Sequence, residues 1–154
     1  SVASRGLGDV YKRQVLVDAA LAATFLPKLA AALTARQTEI RACARSLPLM
    51  PGAKAATEQD FRTEHLGFIL NVKVVAGLAE AVAHVEEYGS HHSDAIVTAD
   101  EAAARTFLAQ VDSACVYWNA STRSTDRLHA RGPMGIRELT TWKFEIVGAG
   151  QVRG

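Results

Sequence analysis

Short apolar runs with little polar alternation recur along this chain, and they limit the folds that it can adopt. They lie at residues 15–17, 68–75, 95–97 and 114–118. Helical periodicity fills most of the stretches between these runs. Strands that lack alternation and are joined by helices are typical of parallel strands covered on both faces. The sequence therefore predicts an α/β fold in which a parallel sheet is covered by helices.

The first predicted helix follows a strand that ends at Val17. Asp18 is a favourable N-cap, because its carboxylate can accept hydrogen bonds from the first free N–H groups of a helix. Pro27 lies inside the helical pattern, so a kink or a break is expected there. The face predicted to be buried repeats every fourth residue and comprises Leu21, Phe25, Leu29 and Leu33.

Two more helices are predicted from the same periodicity. The earlier one is expected to end at Gly89, and the later one to begin with a capping box between Thr98 and Glu101. Their inward faces comprise Leu78, Ala81, Val82 and Val85 in the earlier helix and Ala104, Phe107, Leu108 and Val111 in the later one. Residues 39–43 are predicted as a short strand, and residues 45–56 as a loop.

The last predicted strand differs from the others because its residues alternate. Within residues 140–146, Trp142, Phe144 and Ile146 share one face, and polar residues occupy the other. Alternation of this kind suits a half-exposed strand that is either antiparallel or at the edge of a sheet.

Composition and charge narrow the possible functions. The chain has 154 residues, enough for one domain with a real core. Its net charge of +1 comes from scattered basic residues, whereas nucleic-acid binding needs a clustered basic face. No apolar run is long enough to span a bilayer, so no membrane association is predicted. The two cysteines, Cys43 and Cys115, are far apart, which favours a reducing, cytoplasmic location.

Residues 1–14 are left out of the fold prediction. They show no apolar period, and Asp9-Val10-Tyr11-Lys12-Arg13-Gln14 resembles one reading frame of a sequencing adaptor. A natural flexible leader is the alternative. We therefore expect an adaptor-like leader at residues 1–14.

Several blocks of sequence carry a resemblance to a known family. They include Phe25-Leu26-Pro27-Lys28-Leu29, Asn71-Val72-Lys73-Val74-Val75, His92-Ser93-Asp94-Ala95-Ile96-Val97-Thr98, Asn119-Ala120-Ser121-Thr122-Arg123 and Leu128-His129-Ala130-Arg131-Gly132-Pro133-Met134-Gly135. From residue 15 to residue 154 the chain resembles the γ-glutamyl phosphate reductases, a branch of the aldehyde dehydrogenase superfamily. The resemblance implies an aldehyde dehydrogenase-like catalytic domain, partial here at 15–126, and a signature turn with a C-terminal oligomerisation strand at 127–154.

The resemblance also implies an NADPH-dependent reaction of proline biosynthesis. A cysteine thiolate attacks the acyl phosphate of L-glutamyl 5-phosphate and phosphate leaves, after which NADPH reduces the thioester to L-glutamate 5-semialdehyde. The family's cysteine would lie just before Val15, and a glycine-rich loop and strand would follow Asp126, but the sequence has neither. We therefore expect a C-terminal fragment that is inactive alone, lacking its nucleophile and most of its cofactor domain.

Neither cysteine is expected to replace that nucleophile. Cys115 falls in an apolar strand, where a thiol is usually an inert small hydrophobe, and Cys43 falls in a variable strand or loop. Glu64 matches a carboxylate that accepts hydrogen bonds from the nicotinamide-side ribose of the cofactor, although a solvated loop residue is the alternative.

The residues expected to bind the small-molecule substrate follow a buried strand and comprise Asn119, Ser121, Thr122 and Arg123. A polar turn with capping hydrogen bonds is the alternative interpretation. His129 and Arg131 belong to the family signature, and the sequence assigns them no role. No metal site is expected, because the adjacent His91 and His92 point to opposite faces of an extended backbone.

Other functions stay open on the sequence alone. The resemblance implies a homo-oligomer formed through the C-terminal strand. The chain could instead be a non-enzymatic α/β interaction module whose last strand pairs with a partner, or the product of a pseudogene.

Overall fold

Strands and helices alternate along the chain, and the strands pair in parallel. The structure, a computed structural model, describes residues 14–120, 122 and 143–148. In chain order the elements are β1 (Gln14–Asp18), α1 (Ala19–Thr34), β2 (Glu39–Ala42), a 3₁₀ helix (Leu47–Leu49), β3 (Lys54–Ala55), α2 (Glu58–Arg62), β4 (Ile69–Val75), α3 (Leu78–Tyr88), β5 (Ser93–Ile96), α4 (Glu101–Gln110), β6 (Cys115–Trp118) and β7 (Phe144–Val147). The predicted α/β class is confirmed. The described residues form two units that divide after Ala81, each with its own sheet.

The first unit holds a four-stranded sheet in the order β1-β4-β2-β3. All its pairings are parallel, with Val15 opposite Val72 between β1 and β4, and Ile40 opposite Leu70 between β2 and β4. Asn71 and Val72 of β4 point to opposite faces of the sheet and are both fully buried. Burial on both faces explains why this strand shows little polar alternation.

The helix α1 packs on one face of this sheet. Asp18 is its N-cap, as predicted, and the Asp18 carboxylate accepts a hydrogen bond from the backbone N–H of Ala20 at 2.8 Å. The buried side chains of the helix are Ala22, Leu26, Leu29, Ala30 and Leu33. They join a core with strand residues such as Val72 and Ile40.

The predicted inner face of α1 is wrong in its first half. Leu21 is 60% exposed and Phe25 is 43% exposed, whereas Leu29 and Leu33 are buried as expected. Because an α-helix has 3.6 residues per turn, a row of every fourth residue drifts by about 40° per step around the helix. The row therefore starts on the solvent side and reaches the sheet only at its end, while Leu26 takes the core position.

Pro27 does not break α1, so the predicted break is wrong. The helix is continuous from Ala19 to Thr34 with Pro27 inside it. Both Pro27 and Ala23, whose carbonyl loses its helical partner at this point, are exposed to solvent. Water can therefore satisfy the carbonyl that the proline leaves free.

The stretch predicted as a loop at 45–56 contains more structure than expected. It forms the 3₁₀ helix and the two-residue strand β3, which pairs in parallel with β2. Met50, which is 1% exposed, fixes this segment to the core beneath α1. The short helix α2 follows and was also missed by the periodicity, because five residues are too few to show a period.

The second unit holds a three-stranded parallel sheet in the order β5-β6-β7. The middle strand β6 is the most buried, with Val116 and Tyr117 both at 0% exposure. The predicted inner residues of the helix α4 and its exit are confirmed as buried: Ala104, Phe107, Leu108 and Val111. None of the described helices is both long and apolar enough to cross a membrane.

The predicted capping box at the start of α4 is wrong. Asp100 is the N-cap, and its carboxylate accepts hydrogen bonds from the backbone N–H groups of Ala102 and Ala103 at 2.9 and 3.1 Å. The Thr98 hydroxyl accepts instead from the N–H of Asp100 at 3.0 Å. The threonine therefore shapes the turn before the helix, and the aspartate two residues later caps it.

The helix α3 ends where the sequence indicates. It stops at Tyr88, and Gly89 follows with its N–H bonded to the carbonyl of Val85 at 2.7 Å. A β-carbon at residue 89 would collide with that carbonyl, which requires glycine there. The predicted inward residues of α3 are only half-buried, and the buried one is His84, which stacks on Tyr88.

The last strand differs from its prediction in one respect. β7 pairs in parallel with β6, with Tyr117 opposite Ile146, so the antiparallel alternative is wrong. In the described sheet β7 lies at an edge, where Val147 is 61% exposed. Residues 140–142, which the prediction placed in the same strand, lie outside the described residues.

Candidate functional site

The carboxyl end of the three-stranded sheet carries the first part of the predicted substrate site. Asn119 directly follows β6, and Thr98 lies two residues beyond the end of β5. The Asn119 amide spans the two loops: its nitrogen donates to the Thr98 carbonyl at 2.8 Å, and its oxygen accepts from the Thr98 N–H at 3.0 Å. The Trp118 indole donates to the same carbonyl at 3.0 Å.

Through these hydrogen bonds Asn119 links the segment after β6 to the segment after β5. Its backbone has a φ of 49°, a left-handed conformation that asparagine tolerates better than most residues. The chain therefore turns sharply after β6 and leads into the polar segment that begins at Ser121. Thr122 in that segment is half-buried. The predicted site residues Ser121, Arg123, His129 and Arg131 lie outside the described residues.

Glu64, the predicted cofactor ligand, lies in the first unit between α2 and β4. Its side chain is exposed, and two apolar side chains follow it on the same loop, with Leu66 82% exposed and Phe68 75% exposed. An exposed carboxylate can accept hydrogen bonds from paired hydroxyl groups.

A polar network around α2 was missed in the sequence. Asp60 is 8% exposed, and its carboxylate accepts hydrogen bonds from the N–H and hydroxyl of Thr57 at 2.7 and 2.9 Å. Arg41 donates to the same carboxylate and to Glu39, and Lys54 also pairs with Glu39. The Thr57-x-x-Asp60 spacing is a capping box, which was the available signal.

This network lowers the pKa of Asp60 from 3.8 to about 2. The backbone N–H of Thr57 is the largest cause, burial opposes it, and the Thr57 hydroxyl and Arg41 add to the lowering. Asp60 therefore stays ionised at all moderately acidic pH values. These ion pairs link α2 to the strand β2 through Asp60 and Arg41, and β2 to β3 through Glu39 and Lys54.

Two buried polar atoms beside Asp60 have no hydrogen-bond partner among the described residues: Nε2 of His65 and Oδ1 of Asn71. His65 Nε2 lies 3.9 Å from an Asp60 oxygen, and the Asn71 amide nitrogen donates to the Asp60 carbonyl at 2.7 Å. Buried orphan groups of this kind are often satisfied by internal water.

The two cysteines differ in environment. Cys115 is 1% exposed, and burial raises the pKa of its thiol. Cys43 is half-buried; burial opposes its ionisation, but hydrogen bonds from Ser46, Val74 and neighbouring backbone N–H groups outweigh it and lower its pKa. The Ser46 hydroxyl lies 3.2 Å from the sulfur and the Val74 N–H lies 3.5 Å from it.

We expect Cys43 to be alkylated by iodoacetamide at least tenfold faster than Cys115 at pH 7.5, since only the thiolate reacts and Cys115 is also shielded. Peptide mass spectrometry of the native chain over time gives both rates. Ser46→Ala removes one donor to the sulfur, so it should shift the Cys43 rate profile to higher pH and leave Cys115 unchanged. Equal rates at the two cysteines would contradict this interpretation.

The adjacent side chains of His91 and His92 contact different partners. His91 Nδ1 donates to the Asp112 carbonyl at 2.7 Å, whereas His92 Nδ1 lies 2.8 Å from the Ser93 hydroxyl. The bond to Asp112 raises the pKa of His91. The described residues contain no group of three or more histidine, cysteine or acidic side chains arranged to hold a metal ion.

Comparison with known proteins gives these sites a context. No family model matches the chain. It is 46% identical to gamma-glutamyl phosphate reductase from Nitratiruptor sp. over 90% of this chain and 37% of that protein, and 48% identical to the protein of that name from Carboxydothermus hydrogenoformans over 91% and 37%. The crystal structure of gamma-glutamyl phosphate reductase from Thermotoga maritima matches with a TM-score of 0.72 at 37% identity, covering 92% of this chain.

This chain is a homologue of part of γ-glutamyl phosphate reductase. The family resemblance predicted from the sequence is confirmed by both comparisons. The chain spans about 37% of the length of the curated relatives that it matches. The γ-glutamyl phosphate reductase chain from Thermotoga maritima is likewise covered over 38% of its length.

Proposed function

We propose that this chain is the C-terminal catalytic-domain part of an NADPH-dependent enzyme of proline biosynthesis. That enzyme converts L-glutamyl 5-phosphate to L-glutamate 5-semialdehyde and phosphate. The supporting observation is the sustained identity to γ-glutamyl phosphate reductases over nine tenths of the chain, together with the matching fold. Because the chain spans little more than a third of those relatives, the activity proposed is that of a whole reductase.

In this proposal Glu64 binds the cofactor. Its exposed carboxylate lies on the loop before β4, where it is free to accept hydrogen bonds from the hydroxyls of the nicotinamide-side ribose. The exposed Leu66 and Phe68 on the same loop provide apolar surface beside it. NADPH, when bound, supplies the hydride that reduces the acyl group.

The loop after β6 binds the substrate. Asn119 sets its direction through the two bonds to Thr98, at the carboxyl end of a parallel sheet where ligand sites are common. The guanidinium of Arg123 then pairs with the carboxylate or phosphate of L-glutamyl 5-phosphate, and the hydroxyls of Ser121 and Thr122 donate beside it. His129 and Arg131 lie in the following signature, and we assign them no role.

The nucleophilic thiol is not one of the two in this chain. Cys115 is a buried residue of β6. The sulfur of Cys43 accepts hydrogen bonds from the Ser46 hydroxyl and the Val74 N–H, in the same unit. We infer that the thiolate which displaces phosphate belongs to the remainder of the reductase, and that this chain alone is inactive. We propose a cytoplasmic location, which suits a chain whose two cysteines are free thiols.

The oligomer contact is the last part of the proposal. β7 lies at the edge of the described sheet with Val147 exposed, and an edge strand can extend a sheet by pairing with another strand. We propose that residues 127–154 join two copies of the reductase in this way.

A chimera tests the function directly. Residues 15–126 replace the matching segment of the Thermotoga maritima reductase, and NADPH formation is measured from semialdehyde, NADP⁺ and phosphate. The chimera should be active, and the 154-residue chain alone should not.

Two substitutions in the chimera test the proposed site residues. Arg123→Ala should lower kcat/KM about 100-fold, equivalent to about 3 kcal/mol of lost transition-state stabilisation. Glu64→Gln should raise KM for NADP⁺ about tenfold.

The matched control is Glu101→Gln, which removes an exposed ion pair with Arg105 on α4 and should leave both constants unchanged. Activity in the isolated chain, or a chimera indifferent to Arg123, would count against the proposal.

A further inference from the structure

The outer face of α1 is unusual for a helix exposed to water. Leu21 and Phe25 lie one turn apart on it, 60% and 43% exposed. Among the exposed side chains of the helix only Lys28 carries a charge. A helix that is apolar on every side is normally buried on every side.

The helix α4 shows that this chain does place charges where a helix meets solvent. Its outer face carries an ion pair between Glu101 and Arg105 at 2.6 Å, followed by exposed Thr106 and Gln110. The two helices bury comparable apolar residues on their inner sides. The difference on the outer sides therefore indicates that α1 has a second surface to cover it.

We propose that the outer face of α1 is a docking surface for the portion of a γ-glutamyl phosphate reductase that this chain does not span. The matched relatives continue well beyond the matched segment, since the chain covers 37% of their length. That remaining polypeptide would supply the apolar surface that covers Leu21 and Phe25, and a carboxylate on it would pair with Lys28. The choice of occupant rests on the proposed function.

Cysteine labelling tests the proposal without any catalytic readout. Leu21→Cys is introduced into the 154-residue chain and into the chimera with the Thermotoga maritima reductase, and maleimide labelling at residue 21 is followed by peptide mass spectrometry. Labelling should be at least tenfold slower in the chimera than in the isolated chain. Ala109→Cys, on the exposed side of α4, is the control and should label at the same rate in both.

The outcomes separate the possible occupants. Equal labelling of residue 21 in both proteins overturns the proposal, and so does labelling of the isolated chain that slows as its concentration rises, because a second copy is then the occupant. If the chimera does not fold, the same labelling is done on the chain mixed with the rest of the same reductase as a separate polypeptide. Protection without NADPH formation would sustain the docking surface while the proposed function fails.

Discussion

Replacing Asp60 by alanine is expected to lower the free energy of unfolding by about 3 kcal/mol. The change removes the capping box of α2, which contributes about 1 kcal/mol in a typical helix. It also leaves Arg41 in a half-buried position with one carboxylate fewer, and the loss of a charged hydrogen-bond partner costs about 1.5–3 kcal/mol. Urea unfolding followed by circular dichroism measures the difference.

The control on the same helix is Glu58→Gln. Among the residues that the structure describes, Glu58 pairs with Arg62 at 3.1 Å, and both side chains are largely exposed, so its loss should cost no more than about 0.5 kcal/mol. A loss at Asp60 as small as the loss at Glu58 would mean that the network does not stabilise the unit.

The same carboxylate predicts a pH dependence. Because folding lowers the pKa of Asp60 from 3.8 to about 2, its contribution is complete only above about pH 5 and is lost progressively as the pH falls through about 2. The lowered pKa corresponds to a contribution of about 2.5 kcal/mol. The stability gap between the wild-type chain and Asp60→Asn should therefore narrow between pH 4 and pH 2.

Leu26→Ala is expected to cost about 3 kcal/mol, because it leaves a cavity under the centre of α1. Leu26 is 0% exposed and belongs to the core that also contains Val72. The same substitution at Leu21, which is 60% exposed, should change the stability of the isolated chain by less than about 0.5 kcal/mol.

This pair measures the correction to the predicted helix face. Equal losses at Leu21 and Leu26 in urea unfolding would mean that the row of every fourth residue does face the core, as the periodicity alone predicts.

The sequence predicts what depends on local chemistry. The strand content of β4, the cap at Asp18 and the glycine after α3 each follow from the preferences of a few adjacent residues. The parallel pairing was also predictable, since a strand buried on both faces lacks alternation.

Features set by distant neighbours could not be predicted in the same way. Leu21 and Leu26 are equally apolar, and only the position of the sheet decides which of them is buried. Asp60 gains its low pKa partly from Arg41, which lies 19 residues away in sequence. The parallel direction of β7 likewise depends on β6 and not on its own alternating residues.

The candidate site shows the same division. A polar loop after β6 was predicted from the sequence, but the two bonds between Asn119 and Thr98 depend on β5 lying beside β6. Glu64 was predicted from the family resemblance, and its role in cofactor binding stays a prediction.

We propose that the nucleophilic cysteine belongs to the remainder of the reductase and not to this chain. The most direct test of this claim is to measure which cysteines the substrate acylates. The intact chain is incubated at neutral pH with freshly prepared L-glutamyl 5-phosphate, and both cysteine-containing peptides are analysed by mass spectrometry for the added glutamyl group. We predict no adduct on Cys43 or Cys115 in the chain, and an adduct in the active chimera on a cysteine supplied by the Thermotoga maritima reductase. A glutamyl thioester on Cys43 or Cys115 that NADPH then reduces would contradict the central claim.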